Sequence, residues 1–234
     1  MSATVEEVVF DLAAAPLRDL NQRLHALPEG TNETRWVLRN PQGRHAVAVG
    51  VDRPISVKIE GHVGYYCAGF NSQARIEITG NAGVGLAENM MSGEVRVHGD
   101  ASQAAGATGR GGLLVIGGNA GARCGISMKG IDIVVRGSVG HMSAFMGQEG
   151  NLVILGDAGE SLGDSLYEAR LFVRGAVHSL GADCVEKPMG EAERAILAAL
   201  LARAGVTDAA VEEFRFYGSA RKLYHFNVDH ADSY

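Results

Sequence analysis

A pattern of seven residues recurs every 19 residues through the middle of the chain. It reads apolar, any, apolar, any, glycine, any, and then alanine or valine, as in residues 57–63 and 76–82. The seven copies follow one another without an insertion, and the residue seven places after each glycine is again small. A fixed period near 20 residues indicates a solenoid, in which each repeat packs on its neighbours. The glycines of the pattern are Gly61, Gly80, Gly99, Gly118, Gly137, Gly156 and Gly175.

The alternation inside each copy decides between helical and strand repeats. A repeat built from a pair of helices needs about 30 residues or more. The runs here are short, alternate with period 2 and are rich in β-branched residues, which is typical of strands. One strand in every 19 residues pairs in parallel with the next, at a spacing of about 4.8 Å. We therefore predict an all-β fold, a single-stranded parallel β-helix of seven turns, with a glycine at one corner of each turn.

Such a corner glycine has two possible reasons. The chain can need a positive φ there, or the backbone can approach a neighbouring turn too closely for a side chain. The pattern alone leaves both open.

The repeat divides the chain into three parts. The β-helix is expected over residues 55–185, with an N-terminal cap over 1–54 and a C-terminal segment over 186–234. Both flanks mix helix and strand patterns, and we expect the N-terminal one to close the open first turn.

The flanks carry their own local signals. In the cap we expect strands near residues 5–10, 36–38 and 46–49, a helix over 16–27, and a turn at 40–43. In the C-terminal segment we expect a helix over residues 191–203 that stops at Gly205, followed by an aromatic tail at 214–217 and 223–226.

Charge and hydropathy narrow the function classes. The chain has 234 residues, with 21 basic and 27 acidic ones, a net charge of −6 and no block of like charge. This argues against a nucleic acid or an anionic membrane surface as the main partner. No apolar run reaches the roughly 18 residues that cross a bilayer, and the N-terminus lacks a basic-then-apolar signal pattern. We expect a cytoplasmic protein.

No residue pattern points to a catalytic, cofactor-binding or metal site. Cys67, Cys124 and Cys184 are dispersed along the rod, and the histidines fall at different phases of the repeat. Asp100 and Asp157 share a phase but lie three turns apart, so no carboxylate pair on adjacent turns forms an acid and base couple. We therefore expect no catalytic residue, no cofactor and no metal in this chain, and we interpret the cysteines as buried small residues.

One outward row changes character along the rod. The residue three places before each glycine faces out, and the row is charged in the first three turns and apolar in the last four. An apolar stripe of this kind is usually covered. Its cover is either this chain's own C-terminal helix or tail, or a different subunit, and we take the stripe as a candidate partner contact. It consists of Val115, Val134, Val153 and Phe172.

The glycine spacing resembles a known family. The pattern Gly-x-x-Gly-x-x-x-Gly occurs at Gly118, Gly121 and Gly125, and again at residues 156, 159 and 163. It is similar to the GXGXG domain, the C-terminal β-helical domain of the large subunit of glutamate synthase, over about residues 55–185. The resemblance implies a right-handed β-helix whose motif glycines are structural and carry no catalytic role.

The 234 residues show no counterpart of the amidotransferase and flavin domains of glutamate synthase, so we expect a free-standing subunit. The chain is most similar to the free-standing β-helical subunit of N-methylglutamate synthase, or methylamine–glutamate N-methyltransferase. That resemblance implies a transferase of methylamine assimilation, which converts methylamine and L-glutamate into N-methyl-L-glutamate and ammonia. It also implies that this chain is a non-catalytic scaffold between a glutaminase-type subunit and a synthase-type subunit with FMN and an iron–sulfur centre.

Two alternatives remain. One subunit of formylmethanofuran dehydrogenase shares the same β-helix, so a subunit of that type of complex is possible. An autonomous β-helix enzyme or binding module is the other, and it needs an acidic or aromatic cluster in register on adjacent turns.

Overall fold

The described strands form one sheet. The computed structural model describes residues 7–220, and within them the strand order is β1-β2-β3-β4-β5-β6-β7-β8-β9-β11-β10. In chain order the elements are β1 (Glu7–Asp11), α1 (Leu17–His25), β2 (Arg35–Arg39), β3 (Ser56–Glu60), β4 (Arg75–Ile78), β5 (Glu94–Val97), β6 (Leu113–Ile116), β7 (Lys129–Val135), β8 (Glu149–Ile154), β9 (Arg170–Val173), β10 (Cys184–Lys187), α2 (Glu191–Ala204), a 3₁₀ turn (Val211–Glu213) and β11 (Arg215–Ser219).

Strands β1 to β9 all pair in parallel, one in each coil of a solenoid. From β3 to β9 the partners in the sheet are 19 residues apart, as in Ile76 with Val95 and Ile133 with Leu152, except at a bulge in β7, where Lys129 pairs with Glu149. The parallel β-solenoid predicted from the repeat is confirmed. The handedness implied by the family resemblance stays a prediction.

The core is built from two inward rows of the strands. The residues four and two places before each glycine are apolar, and neighbouring coils stack them directly on one another, as with Ile59 on Ile78. All are nearly or fully buried, because alternate residues of a strand point to the same face. Most are β-branched or leucine, which fit a pleated surface.

Close approach, rather than positive φ, explains most of the key glycines. In this row only Gly61 has a positive φ, of 132°. A Cβ at Gly156 would lie 2.6 Å from the carbonyl carbon of Gly137 and 2.7 Å from its oxygen. The Gly156 amide donates to that same carbonyl at 2.9 Å. The backbones of successive coils therefore touch along this row, and a side chain has no room.

The opposite corner of each coil has an alternating backbone. In the coils that follow Gly61 to Gly156, the residues five, seven and nine places after the glycine are left-handed, as in Tyr66, Ala68 and Phe70 with φ of 59°, 56° and 56°. Their amides point in alternate directions along the rod: Tyr66 donates to Val84 of the next coil, and Ala68 donates to Val47 of the previous one. Ala68 is fully buried whereas Tyr66 and Phe70 are half exposed, so the residue seven places after the glycine is small because its side chain faces the core.

Residues 35–54 form one more coil of the solenoid, and the strand predicted at 46–49 is wrong. Ala46 and Ala48 are left-handed, with φ of 55° and 52°, and belong to the alternating corner. This coil was missed because its step is longer: Trp36 pairs with Val57, 21 residues away, instead of 19. The predicted strands near residues 5–10 and 36–38 are present as β1 and β2. The sheet runs on without a break across residue 54.

Helix α1 closes the N-terminal end of the core. Leu20 and Leu24 are fully buried in the core cluster that also contains Trp36. The amide side chain of Asn21 meets the alternating corner, because its Nδ2 donates to the Ala46 carbonyl at 2.9 Å and its Oδ1 accepts from the Ala48 amide at 3.2 Å. The helix thus satisfies backbone groups that the coil at residues 35–54 leaves open at the N-terminal end.

The C-terminal segment from residue 188 to 219, which we call the C-terminal arm, folds back on the sheet. Helix α2 ends at Gly205, which is left-handed with φ of 74°, as predicted. Strand β11 then runs antiparallel between β9 and β10, so the predicted aromatic tail at 214–217 is part of the sheet. The tail at 223–226 lies outside the described residues. Within the described part of the chain, neither helix is long and apolar enough to span a bilayer.

Gly156→Ala tests the contact between coils. The added Cβ meets backbone atoms that cannot move independently, so we expect the free energy of unfolding to fall by about 1–3 kcal/mol. Urea denaturation followed by circular dichroism measures it. Gly218→Ala is the control, because Gly218 also has no positive φ and its nearest contact would be an ordinary 3.4 Å to the Lys187 side chain. Equal midpoints for both variants would contradict the explanation.

Candidate functional site

The apolar stripe predicted from the sequence lies on the outer face of β6 to β9. Val115 is 5% exposed, and Val134, Val153 and Phe172 are fully buried. They form a second core with Leu197, Leu200, Leu201 and Ala204 of α2 and with Phe214 and Phe216 near and in β11. The rings of Phe172 and Phe216 stack with their centroids 5.4 Å apart.

The cover of the stripe is therefore this chain's own C-terminal arm. Of the two covers that the sequence left open, the structure shows the intrachain one, so the partner contact considered at Val115, Val134, Val153 and Phe172 does not lie on the surface. The physical reason is that α2 and β11 supply an apolar face of their own. Burying both faces together removes them from water.

Polar contacts fix the position of the arm. Arg96, at the end of the charged half of the row, donates to the carbonyls of Ala204 at 2.9 Å and Arg203 at 2.6 Å. These are carbonyls at the negative end of the α2 dipole, where a cation is stabilising. Arg203 in turn pairs with Asp132 at 2.8 Å, and Arg136 pairs with Asp208 at 2.9 Å. The covered surface thus ends where the charged residues begin.

The uncovered half of the sheet face carries polar and charged side chains that contact one another. His98 Nε2 lies 2.8 Å from a Glu77 carboxylate oxygen, and Arg75 lies 3.4 Å from Glu94. Such surface pairs contribute about 0–1 kcal/mol each. This half of the face needs no cover, because each charge remains in contact with water.

A ladder of polar side chains runs along the glycine corner, and sequence reasoning missed it. The side chain that follows each of the first six glycines accepts the backbone amide of the equivalent residue in the next coil. Asn119 donates its amide to Asp100 Oδ1 at 2.7 Å, and Ser138 donates its amide to Asn119 Oδ1 at 2.8 Å. The signal was a polar residue after six successive glycines. The acceptors are His62, Asn81, Asp100, Asn119, Ser138 and Asp157.

The ladder gives Asp100 and Asp157 a structural role. Both carboxylates accept a backbone amide of the following coil, Asp100 from Asn119 and Asp157 from Ala176 at 2.8 Å. Hydrogen bonds of this kind, to an ionised acceptor, are among the stronger ones in proteins.

The three thiols are buried. Desolvation raises the pKa of Cys67 and Cys124 to about 12 and that of Cys184 to about 11. Because the thiolate is the reactive and metal-binding form, these side chains behave as small apolar groups at neutral pH. Among residues 7–220, no three His, Cys, Asp or Glu side chains come together in a way that could hold a metal ion.

The most exposed aromatic residues gather on one coil, at the alternating corner. Tyr65, Tyr66 and Phe70, which we call the corner aromatic cluster, are 50%, 50% and 56% exposed. His45 stacks on Tyr65 with the ring centroids 4.4 Å apart, and His45 Nδ1 accepts the Tyr65 amide at 2.8 Å. Tyr66 meets Tyr65 edge-on at 6.5 Å. Aromatic side chains held rigidly on a surface are typical centres of protein interfaces.

The sequence contained a signal for this cluster. Where coil 61–79 has Tyr65 and Tyr66, the next coil has Val84 and Gly85. These two positions vary from coil to coil, with Gln103 and Arg123 among their other occupants, so the signal was a pair of adjacent aromatic residues at variable positions.

Comparison with known proteins identifies a close relative. The chain is 63% identical over 226 residues to Protein GlxC of Rhizobium meliloti (strain 1021), and the match covers 97% of this chain and 99% of the relative. The chain belongs to the GlxC family. The GlxC match extends beyond the coils to the flanks, so the C-terminal arm and α1 belong to the shared region. No model of a protein family and no solved structure matches the chain.

Val134→Asp tests the arm as the cover of the stripe. Val134 is fully buried between the sheet and α2, and a carboxylate there costs about 3 kcal/mol or more without a partner. We expect α2 to detach, so that hydrogen exchange of its amides accelerates while the amides of β3 to β5 stay protected. Val9→Asp, at a position 49% exposed on β1, is the control. Unchanged protection of α2 would contradict this packing.

The thiols provide a second test. Because burial raises the pKa of Cys67 and Cys124 to about 12, the folded chain should react with iodoacetamide at pH 8 about a hundredfold more slowly than the chain in urea. Mass spectrometry of the alkylated peptides measures each cysteine separately. Fast labelling of either thiol in the folded protein would show that the core opens at that coil.

Proposed function

We propose that this chain is a non-catalytic scaffold subunit of a heteromeric enzyme of the glutamate-synthase type. The observation that carries the proposal is the corner aromatic cluster, an exposed interface-like surface on a rigid rod. The resemblance of the glycine pattern to the β-helical domain of glutamate synthase and the membership in the GlxC family support it.

Rigidity is what a scaffold needs, and the coils supply it. Each coil hydrogen-bonds to the next in the sheet, along the glycine row and at the alternating corner, as with Gly156 to Gly137 and Ala68 to Val47. Buried backbone contacts of this kind leave no hinge between coils. Two proteins that bind different coils would be held at a separation fixed by multiples of about 4.8 Å.

The proposed enzyme is N-methylglutamate synthase. It would exchange the nitrogen of glutamate, so that methylamine and L-glutamate give N-methyl-L-glutamate and ammonia. In this proposal the rod binds a glutaminase-type subunit and a synthase-type subunit, and the synthase-type subunit holds FMN and an iron–sulfur cluster. The rod itself contributes position and orientation to the reaction.

The test is native purification from the source cell through an affinity tag on this chain. We expect two further chains, a flavin and iron–sulfur absorbance spectrum, and formation of N-methylglutamate from methylamine and glutamate. A complex with molybdenum or tungsten would favour the formylmethanofuran dehydrogenase type. A colourless chain that purifies alone would overturn the scaffold proposal.

Substitution of the corner aromatic cluster sharpens the test. Tyr66→Ala with Phe70→Ala should lower the affinity for a co-purifying subunit about tenfold or more, because aromatic anchors dominate interfaces. Val9→Ala, which removes an equally exposed apolar side chain from β1, should leave it unchanged. Retention of both subunits by the double variant would place the interface elsewhere.

A further inference from the structure

A row of five side chains eleven places after the glycines forms a continuous strip beside the alternating corner. Each member donates its backbone amide to the preceding coil at 2.7–2.8 Å, so the five lie directly next to one another along the rod. We call it the basic row, after the two cations at its centre. Its members are Met91, Arg110, Lys129, Gln148 and Tyr167.

Arg110 and Lys129 are two cations side by side at the centre of the row. They are neighbours on adjacent coils, and like charges in such positions repel each other. Neither forms an ion pair within residues 7–220, whereas Arg75, Arg136 and Arg203 all do. The sheet register places Glu149 opposite Lys129, yet these two side chains also form no ion pair. The central pair thus keeps its charge available to an external anion.

The two ends of the row are suited to a protein partner. Met91 and Tyr167, at the two ends of the row, are each 45% exposed although both have large apolar surfaces. A cationic centre between two apolar ends complements a segment with carboxylates in the middle and apolar side chains on either side. Two cations on a chain of net charge −6 are too few for a nucleic acid or a membrane surface.

We infer that the basic row binds an acidic, amphipathic segment of a partner subunit, with its carboxylates on Arg110 and Lys129 and its apolar side chains on Met91 and Tyr167. This inference rests on the proposed scaffold function and adds a second contact surface to it. The row lies at a different position of the coil from Tyr66 and Phe70, so the two surfaces can serve the same partner or one each.

Zero-length cross-linking of the tagged complex tests the contact directly. A carbodiimide joins a carboxylate to a lysine amine, with loss of water, only when the two already touch. We expect an amide between Lys129 and an Asp or Glu of a co-purified subunit, found by mass spectrometry of the digested complex. Lys129→Arg should abolish this cross-link and still retain the subunit, because it keeps the charge.

Charge reversal measures the contribution of the row. Arg110→Glu with Lys129→Glu should raise the dissociation constant of the bound subunit about tenfold or more, with a reduced dependence on salt. Arg18→Glu with Arg35→Glu is the matched control. It changes the net charge equally, at two other cations that form no ion pair in the described part of the chain, and should leave the dissociation constant unchanged.

The outcomes separate the two proposals. If no further chain co-purifies with the unaltered protein, the scaffold function and the basic row fail together. If further chains co-purify and the Arg110→Glu and Lys129→Glu variant binds them as tightly as the unaltered protein, only the basic row fails. A cross-link from Lys129 to a carboxylate of this chain, or of a second copy of it, would also overturn the inference.

Discussion

The other features of the structure depend on the backbone hydrogen bonds between one coil and the next. These bonds hold each residue about 4.8 Å from its equivalent in the next coil. Equivalent residues therefore have the same surroundings, and the same type of residue recurs along a row. Where the backbones touch, every residue of the row is glycine, as at Gly137 and Gly156. In the row that follows the glycines, six successive side chains each accept the amide of the next coil, as Asn119 does for Ser138. The repeat in the sequence reflects this stacking of equivalent positions.

The 19-residue period made the fold predictable, and the part of the solenoid that departs from this period was not predicted. Seven copies in one register require parallel strands with the same two inward rows, and α2 followed from its own leucines and Gly205. The coil at 35–54 was not recognised in the sequence because two extra residues shift it out of phase with the repeat. Its Ala-Val-Ala-Val sequence alternates like a strand, yet Ala46 and Ala48 are left-handed. A sequence that alternates between two residue types therefore does not distinguish an extended strand from a backbone in which every second residue is left-handed.

The candidate surfaces were harder to predict because they depend on contacts distant in sequence. The stripe was visible as four apolar residues, but its cover depends on β11 inserting between β9 and β10. No local pattern in residues 215–219 specifies those neighbours. The residues of the corner aromatic cluster and of the basic row stand at positions that the repeat leaves variable. Their meaning emerged once the backbone showed which positions point outward and which charges remain without a partner.

The alternating corner has an electrical consequence. In an α-helix every amide points the same way, and the dipoles add up toward the ends. Here Tyr66 and Ala68 point their amides in opposite directions along the rod, so successive corner dipoles cancel. A single carboxamide, that of Asn21, can therefore serve as both donor and acceptor at the terminal coil. Because these dipoles cancel, adding or removing whole coils would not build up charge where the corner ends at either end of the rod. The number of coils is therefore free to vary.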